Sequence, residues 1–410
     1  MRIKSNTAAA GALAATALGV ATSVQAIDPQ PLNADGPIDF IPTLSISQGY
    51  DDNFEENPDG EERSSNITRV APTFLFQAQE RQNRYQFRYA PTAEFYSADS
   101  DNDRINHRAA LTSRLVFDAR NRVNLGLNAR RSEQTVSQAN RDADQDGDIN
   151  QRVEATGRYR FGASGAQGQL QLDLAYLANR YRNNLDAGPE RRLDEFDRAR
   201  IGVTYFWRVA PRTQVLVEGR YADFDYQDSD SDRDGESVAA FVGTAWQATA
   251  ATRGSVRVGR TERSFDAGTR SDEETNTWEA AVTWEPVDRA RVRLTTRRTL
   301  EEGNEISDEL GFIESVEDTV DQSLYRVSWR HQWDDRITSN LSYELRDRDF
   351  IGGTNDGEND EITTWTVGVT YEVERWLDVG VRARIKENDS TRDRSSYDRN
   401  SIFLTANVSL

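Results

Sequence analysis

Alternating aspartates in two short stretches are the residues of this sequence whose spacing comes nearest to a metal site. In DADQDGD (142–148) and DSDRDG (230–235), every second position is acidic and a glycine follows the third aspartate. Alternate carboxylates of a tight turn can converge on a hard cation such as Ca²⁺. The spacing therefore predicts two calcium-binding loops, with these ligands: Asp142, Asp144, Asp146 and Asp148 in the first, and Asp230, Asp232 and Asp234 in the second.

The surroundings of the first stretch do not fit an EF-hand, although its beginning does. The twelfth position of the loop holds Val153, where that motif requires a bidentate glutamate. The flanking segments 122–130 and 152–161 alternate between apolar and polar residues, which indicates strands and not helices. The prediction is thus a loop between two strands, in which calcium would order the loop and no resident cofactor is required.

The first 26 residues have the features of a secretory signal peptide. Arg2 and Lys4 precede a short apolar run that ends in Val24-Gln25-Ala26. We expect the mature chain to begin at Ile27, with the proline-containing residues 27–39 as a periplasmic extension. The sequence contains no cysteine, which excludes disulfides and thiol catalysis.

Period-two alternation continues through the rest of the sequence, although only 36% of the residues are hydrophobic. A transmembrane β-barrel reconciles the two facts, because only every second residue of each strand faces lipid. The alternation predicts an all-β, antiparallel up-and-down barrel over residues 40–410. About eighteen strands (16–18) are expected, near 40–50, 67–78, 85–96, 107–117, 122–131, 152–161, 169–179, 198–207, 213–223, 237–247, 254–262, 276–285, 290–299, 323–333, 337–346, 363–373, 377–386 and 401–410.

The connections between these strands alternate between short and long, as in barrels of the outer membrane of Gram-negative bacteria. An even number of strands would leave both termini in the periplasm. Aromatic residues cluster beside the short turns, as Trp207, Trp284 and Trp376 do, and others lie nearer the long loops, as Tyr221 and Trp365 do. Such residues form the two interfacial girdles of a membrane barrel.

The positions that would face the barrel lumen are rich in arginine. Guanidinium groups stay charged and bind carboxylates and phosphates, so these positions could set a preference for anions. A purely structural interpretation, in which the arginines pair with carboxylates across strands, remains open. The candidate selectivity residues are Arg88, Glu94, Arg130, Arg158, Arg200, Glu218, Arg220, Arg257, Arg293, Arg297, Arg330, Glu344, Arg382 and Arg384.

The long loops are acidic, and the formal net charge of the chain is −19, which argues against a nucleic-acid partner. Residues 51–62 contain seven acids and no base, and we expect them to be a solvated surface loop. Acidic loops at the cell surface could also bind lipopolysaccharide through divalent cations.

An enzymatic function has little support in the sequence. The two histidines, His107 and His331, fall near opposite ends of the predicted barrel, so they cannot form one site. Outer-membrane hydrolases usually need a histidine beside a nucleophile on a neighbouring strand. The protein is therefore predicted not to be an enzyme.

The first hairpins resemble the start of the outer-membrane family known as putative β-barrel porin 2. The residues that carry the resemblance are Tyr50-Asp51-Asp52-Asn53 at the end of the first strand, Pro72 in the second strand, and Tyr89 and Pro91 in the third. The resemblance implies an outer-membrane barrel associated with exopolysaccharide or capsule production.

Two functions follow as expectations. The first is a porin-like channel for polysaccharide export or for anionic solutes, with an acidic polysaccharide or export machinery as partner. The second is a surface barrel with a plugged lumen, whose acidic loops bind calcium, lipopolysaccharide or a matrix polymer.

Overall fold

The computed structural model describes residues 29–33, 36–134, 147–185, 191–249, 251–302, 319–353, 355–392 and 395–409. These residues form one antiparallel sheet. Its first ten strands are β1 (Asp39–Asp51), β2 (Ser65–Glu80), β3 (Asn83–Tyr89), β4 (Thr92–Tyr96), β5 (Arg104–Val116), β6 (Asn121–Glu133), β7 (Ile149–Phe161), β8 (Gly168–Tyr181), β9 (Phe196–Ala210) and β10 (Thr213–Tyr226). The others are β11 (Gly235–Trp246), β12 (Thr252–Phe265), β13 (Glu273–Val287), β14 (Ala290–Glu302), β15 (Thr319–Gln332), β16 (Ile337–Ile351), β17 (Asn359–Glu374), β18 (Leu377–Ser390) and β19 (Tyr397–Ser409).

The sheet closes on itself, because β1 pairs with β2 on one side and with β19 on the other. Strands β3 and β4 are two parts of one wall strand, since both pair with β2 and with β5. The break falls at Ala90-Pro91, where proline has no N–H to donate to the ladder. The wall is therefore an eighteen-stranded antiparallel barrel, which confirms the predicted fold class.

The two rims of the barrel differ in how well the predicted strand ends agree with the structure. At the short turns the agreement is close, but at the long loops several strands continue further. For example, β16 continues to Ile351, beyond the predicted end at residue 346. Apolar alternation stops where the lipid stops, whereas backbone pairing between strands continues into water. We call the two ends the short-turn rim and the long-loop rim. Both ends of the barrel domain, Asp39 and Ser409, lie at the short-turn rim.

Aspartates shape two of the short turns. The carboxylate of Asp118 accepts hydrogen bonds from the backbone N–H groups of Arg120 and Asn121 at 2.6 and 2.9 Å. Asp334 does the same for Arg336 and Ile337 at 2.8 and 2.7 Å. These bonds favour the ionised carboxylate and lower the pKa of Asp334, and the backbone N–H of Arg336 contributes most.

The described residues contain only two short 3₁₀ helices, Ser100–Asn102 and Arg191–Asp194, both at the long-loop rim. No helix among the described residues is long and apolar enough to cross a membrane.

The two faces of the wall differ in chemistry. Large apolar side chains at alternate positions, such as Val217, Val242 and Leu404, are exposed on the outside. The intervening positions point inward and carry charged, polar and some aromatic side chains, many of them buried, such as Glu218 and Phe241. An outside face of this kind suits lipid.

A charged residue in the middle of the outer face provides a test of this orientation. Val217 is 59% exposed and lies between the two aromatic girdles. We expect Val217→Arg to lower the free energy of unfolding in lipid vesicles by about 2–4 kcal/mol. Val209→Arg, at the short-turn rim, is the matched control, with an expected cost of about 0–1 kcal/mol. Equal costs in urea titrations of the two variants would contradict the assignment of the lipid face.

Candidate channel lumen

All fourteen candidate selectivity residues lie on the inward face of the wall, because each alternates with outward-facing neighbours of its strand. Glu218 and Arg220, for instance, alternate with the exposed Val217 and Tyr221. The structure distributes these residues around the whole circumference and does not gather them into one site. Among them, Glu218 makes direct contacts with both Arg220 and Arg257.

Four charged side chains form a closed ring of ion pairs on β10, β12 and β13. Arg220 donates to Glu218 at 2.6 Å and to Glu279 at 2.8 Å. Arg257 donates to Glu218 at 2.5 Å and to Glu279 at 3.0 Å. Each carboxylate therefore faces two guanidinium groups, and the ring has no net charge. We call the inward faces of β10 to β13 the balanced wall.

The aromatic ring of Phe241 packs against the two arginines of this ion-pair ring. Gly259 leaves room for Phe241, and Gly243 leaves room for the backbone and side chain of Arg257. The guanidinium groups of Arg220 and Arg257 lie 4.5 and 5.5 Å from the centre of the Phe241 ring. Its neighbour across the strands is Gly259, where a Cβ atom would approach the Phe241 ring to 2.7 Å. At Gly243 a Cβ atom would lie 2.4 Å from the carbonyl oxygen of Val256. Side chains of β10 and β12 can thus meet across β11.

Other inward carboxylates are also shared between two arginines. Glu94 forms a salt bridge with Arg69 at 2.6 Å and accepts a hydrogen bond from Arg104 at 2.7 Å, and the hydroxyl of Tyr96 donates to it at 3.2 Å. The Arg69 guanidinium lies over the ring of Phe403 at 4.3 Å.

The same arrangement occurs on β15 and β16, and a single pair occurs on β7 and β8. Glu344 accepts hydrogen bonds from Arg326 and, at 2.9 Å, from Arg346. Arg158 donates to Asp173 at 2.5 Å. These contacts match the structural interpretation of the lumen arginines, in which acids and bases pair across strands.

One part of the wall does not follow this balance. Arg108, Arg130 and Arg152 stand directly opposite one another on β5, β6 and β7, and we call them the arginine row. Arg84 is opposite Arg114, and Arg122 is opposite Arg160. The inward faces of β5 and β6 carry no carboxylate among the described residues. We call the inward faces of β3, β5, β6 and β7 the basic wall.

The first long loop, residues 52–64, is only partly the solvated loop that its acidic composition predicts. Residues 59–62 are exposed, but residues 52–58 fold into the barrel. Phe54 is 1% exposed and contacts the ring of Tyr96, with the two centres 5.1 Å apart. The Asn53 amide donates to the carbonyl oxygens of Asn57 at 2.7 Å and Asp398 at 2.8 Å. For residues 52–58 the prediction was wrong because Phe54 enters an apolar cluster inside the wall, and cations on neighbouring strands neutralise part of the acidic charge.

A second group of loop residues forms a buried network at the long-loop rim. Arg191 donates to Asp148 at 2.8 Å and to Asp194 at 3.1 Å, and Arg233 donates to Asp194 at 2.9 Å. Asp148, a candidate calcium ligand, also accepts from the Asn184 amide at 2.9 Å. In this structure its carboxylate is thus engaged by a guanidinium and an amide.

The candidate ligands of the second calcium loop contact different partners. Asp230 lies 3.8 Å from Arg192, Asp232 accepts from Arg270 at 2.7 Å, and Asp234 accepts from the backbone N–H of Tyr226 at 2.6 Å. Within the described residues no three carboxylate, imidazole or thiol groups are placed to hold a metal ion. Asp142, Asp144 and Asp146 lie outside the described residues, and calcium binding stays a prediction.

The two histidines lie in the outward phase of their strands. His107 shares a hydrogen bond of 2.9 Å with the hydroxyl of Tyr89, and both residues alternate with lumen-facing neighbours on β5 and β3. His331 packs against Trp329 and Trp333, with ring centres 5.6 and 4.4 Å away, at the short-turn rim.

Sequence reasoning missed several residues that complete the lumen network, chiefly Glu279, Arg69, Arg104, Arg326, Lys386 and Arg399. Glu279 had a detectable signal, because it alternates with the outward-facing Trp278 and is therefore in the inward phase of β13. Phe206, Phe241 and Phe403 had no such signal, since an aromatic residue in the inward phase looks like a break in the alternation.

The closed wall, its apolar outer face and its charged interior define the protein as a porin-like β-barrel of the bacterial outer membrane. A family model described as "Putative beta-barrel porin 2" matches residues 37–410, so the chain belongs to this family, as the resemblance of its first hairpins implied. No curated protein matches the sequence.

Several solved porins are similar to this chain at low sequence identity. Pseudomonas aeruginosa OpdK with vanillate is 12% identical, covers 91% of this chain and 99% of its own, and has a TM-score of 0.50. P. aeruginosa OccK2 (OpdF) is 10% identical, with coverages of 91% and 98% and a TM-score of 0.48. A BenF-like porin from Pseudomonas fluorescens Pf-5 is 11% identical, with coverages of 91% and 99% and a TM-score of 0.47.

Proposed function

We propose that the protein is a passive channel, and not an enzyme, and that anionic solutes cross the outer membrane along its basic wall. The arginine row is the observation that carries this proposal. In this proposal the long-loop rim faces the outside of the cell, and both termini lie in the periplasm.

The cost of the arginine row supports a functional role. Like charges directly opposite each other on one face of a sheet are destabilising. On the balanced wall the residue directly opposite Arg257 is Glu279, whereas each member of the arginine row stands opposite another arginine. An arginine with a purely structural role could equally well stand opposite a carboxylate. The excess of positive charge on the basic wall instead suits a passing anion.

The depth of the basic wall bears on the class of solute. Arg108 and Arg114 are six residues apart on β5, which corresponds to about 20 Å along the strand. Positive charge is therefore available at more than one level of the lumen. This distribution suits an extended polyanion, such as an acidic polysaccharide in export, as well as small organic anions.

The ion selectivity of the channel tests the proposal. We expect the purified barrel to conduct in planar lipid bilayers. Under a KCl gradient, the sign of its reversal potential should show that Cl⁻ permeates better than K⁺. The physical reason is the excess of fixed positive charge on the basic wall, which raises the local concentration of anions. A cation-preferring reversal potential would contradict the proposal.

A second candidate function is a surface barrel that binds lipopolysaccharide through divalent cations. Outward-facing carboxylates at the long-loop rim stand directly opposite one another on neighbouring strands, and we call them the acidic collar. Its pairs include Asp223 with Glu236, Asp347 with Glu361, and Glu387 with Asp398. Cations that bridge these pairs to lipid phosphates would relieve their repulsion. Absence of conductance in the same bilayer experiment would favour this second function.

A further inference from the structure

Two cations at the long-loop rim hold a carboxylate of the first long loop. Lys386 on β18 and Arg399 on β19 both contact Oε1 of Glu56, each at 2.9 Å. Arg399 also donates to Asp51, the last residue of β1, at 2.9 to 3.1 Å. Asp51 belongs to the wall, whereas Glu56 reaches the two cations from a loop.

The backbone of Glu56 is strained in this position. Its φ is +58°, a left-handed conformation that residues other than glycine rarely adopt. Such a conformation persists only where surrounding contacts impose it. The Glu56 N–H donates to the carbonyl oxygen of Asn53 at 3.1 Å, and the side chain of Asn53 bonds to the backbone of Asn57 at 2.7 and 2.9 Å. These local hydrogen bonds and the two cations together hold Glu56 in place.

The contact is partly open to solvent at Glu56. The Glu56 side chain is 27% exposed, whereas that of Lys386 is 9% exposed. Burial alone would raise the pKa of Glu56, but the charges of Lys386 and Arg399 hold it well below its usual range. Glu56 is thus a permanent anion at neutral pH, bound as a solute carboxylate would be.

We propose that Lys386 and Arg399 form an anion-binding site that Glu56 occupies at rest, and that an anionic solute displaces Glu56. The inference rests on the proposed passage of anions. Displacement makes release of the segment from Glu56 to Arg63 less costly, because one of its contacts is lost. Phe54 stays in its apolar cluster, and its N–H donates to the carbonyl oxygen of Arg63 at 3.1 Å. The solute class is an organic carboxylate, and an acidic sugar is the natural representative.

Trypsin cleavage after Arg63 reports on this release without requiring conductance. We expect Glu56→Gln to be cleaved there about tenfold faster than the unaltered protein, because it loses a charge-assisted contact to two cations. Asp59→Asn is the matched control, since Asp59 is an exposed carboxylate of the same loop, and its rate should not change. Equal cleavage rates in Glu56→Gln and Asp59→Asn would overturn the proposal.

The anion site itself is tested with sodium galacturonate, against sodium chloride with galactose at the same ionic strength. Galacturonate should accelerate cleavage of the unaltered protein and have no effect on Lys386→Gln, which lacks one of the two cations. Equal rates in the two solutions would also overturn the proposal. The reversal potential reports separately on the proposed function. If the channel prefers cations, the proposed passage of anions is contradicted. If Glu56→Gln is nevertheless cleaved faster, the contact between Glu56 and the two cations still holds the loop in place.

Discussion

Replacing all three members of the arginine row by glutamine should lower the preference of the channel for anions by about tenfold. Arg108, Arg130 and Arg152 stand side by side across β5, β6 and β7, so their fields add in the same part of the lumen. Glutamine keeps most of the side-chain length and the hydrogen-bonding capacity, so the lumen keeps its shape. The measurement is the reversal potential of the triple variant in planar bilayers under a KCl gradient.

The matched control for this experiment is Arg289→Gln. Arg289 lies in a short turn, is 52% exposed and pairs with Asp335 at 3.1 Å, so it is outside the lumen. We expect its removal to leave the reversal potential unchanged. An equal loss of anion preference in both variants would show that the net charge of the protein sets selectivity, and the role assigned to the arginine row would be refuted.

Glu218→Gln should lower the free energy of unfolding by about 3 kcal/mol, because it leaves two largely buried guanidinium groups to share one carboxylate where they had two. Arg220 and Arg257 would then depend on Glu279 alone. The loss should be read from urea titrations of the barrel in lipid vesicles, followed by the change in tryptophan fluorescence.

Glu285→Gln is the control that distinguishes the loss of a buried ion pair from the loss of an exposed one. Glu285 also contacts two arginines, Arg253 and Arg291, but all three side chains are partly or largely exposed at the short-turn rim. Exposed pairs contribute less than about 1 kcal/mol, so this variant should unfold almost like the unaltered protein. A similar loss of unfolding free energy in both variants would indicate that burial does not strengthen the ion-pair ring of the balanced wall.

The lipid accounts for what could be predicted from the sequence. It requires an apolar residue at every second position of the membrane-spanning strands, so the number of strands and the phase of each one follow from period two. The same phase placed Glu218, Arg220 and Arg257 on the inward face. The contacts among these three residues could not be predicted, because alternation along one strand contains no information about which side chains reach across β11.

The ends of the barrel were less predictable, for a different physical reason. At the long-loop rim both faces of each strand meet water, so β16 continues to Ile351 without any apolar signal. Part of the first long loop was misjudged because its acids suggested hydration. The partners that draw it inward, Lys386 and Arg399, lie more than 300 residues later in the chain.

The pairing of β1 with β19 has a consequence for how this protein is made. Thr43 lies opposite Ser409, so the seam joins the two extremes of the barrel sequence and cannot form until the last strand has been synthesised. Before that moment β1 and β18 present unpaired backbone groups, which hydrocarbon cannot satisfy. Contacts this distant in sequence also form slowly. Both edges therefore have to stay out of hydrocarbon until β19 closes the cylinder.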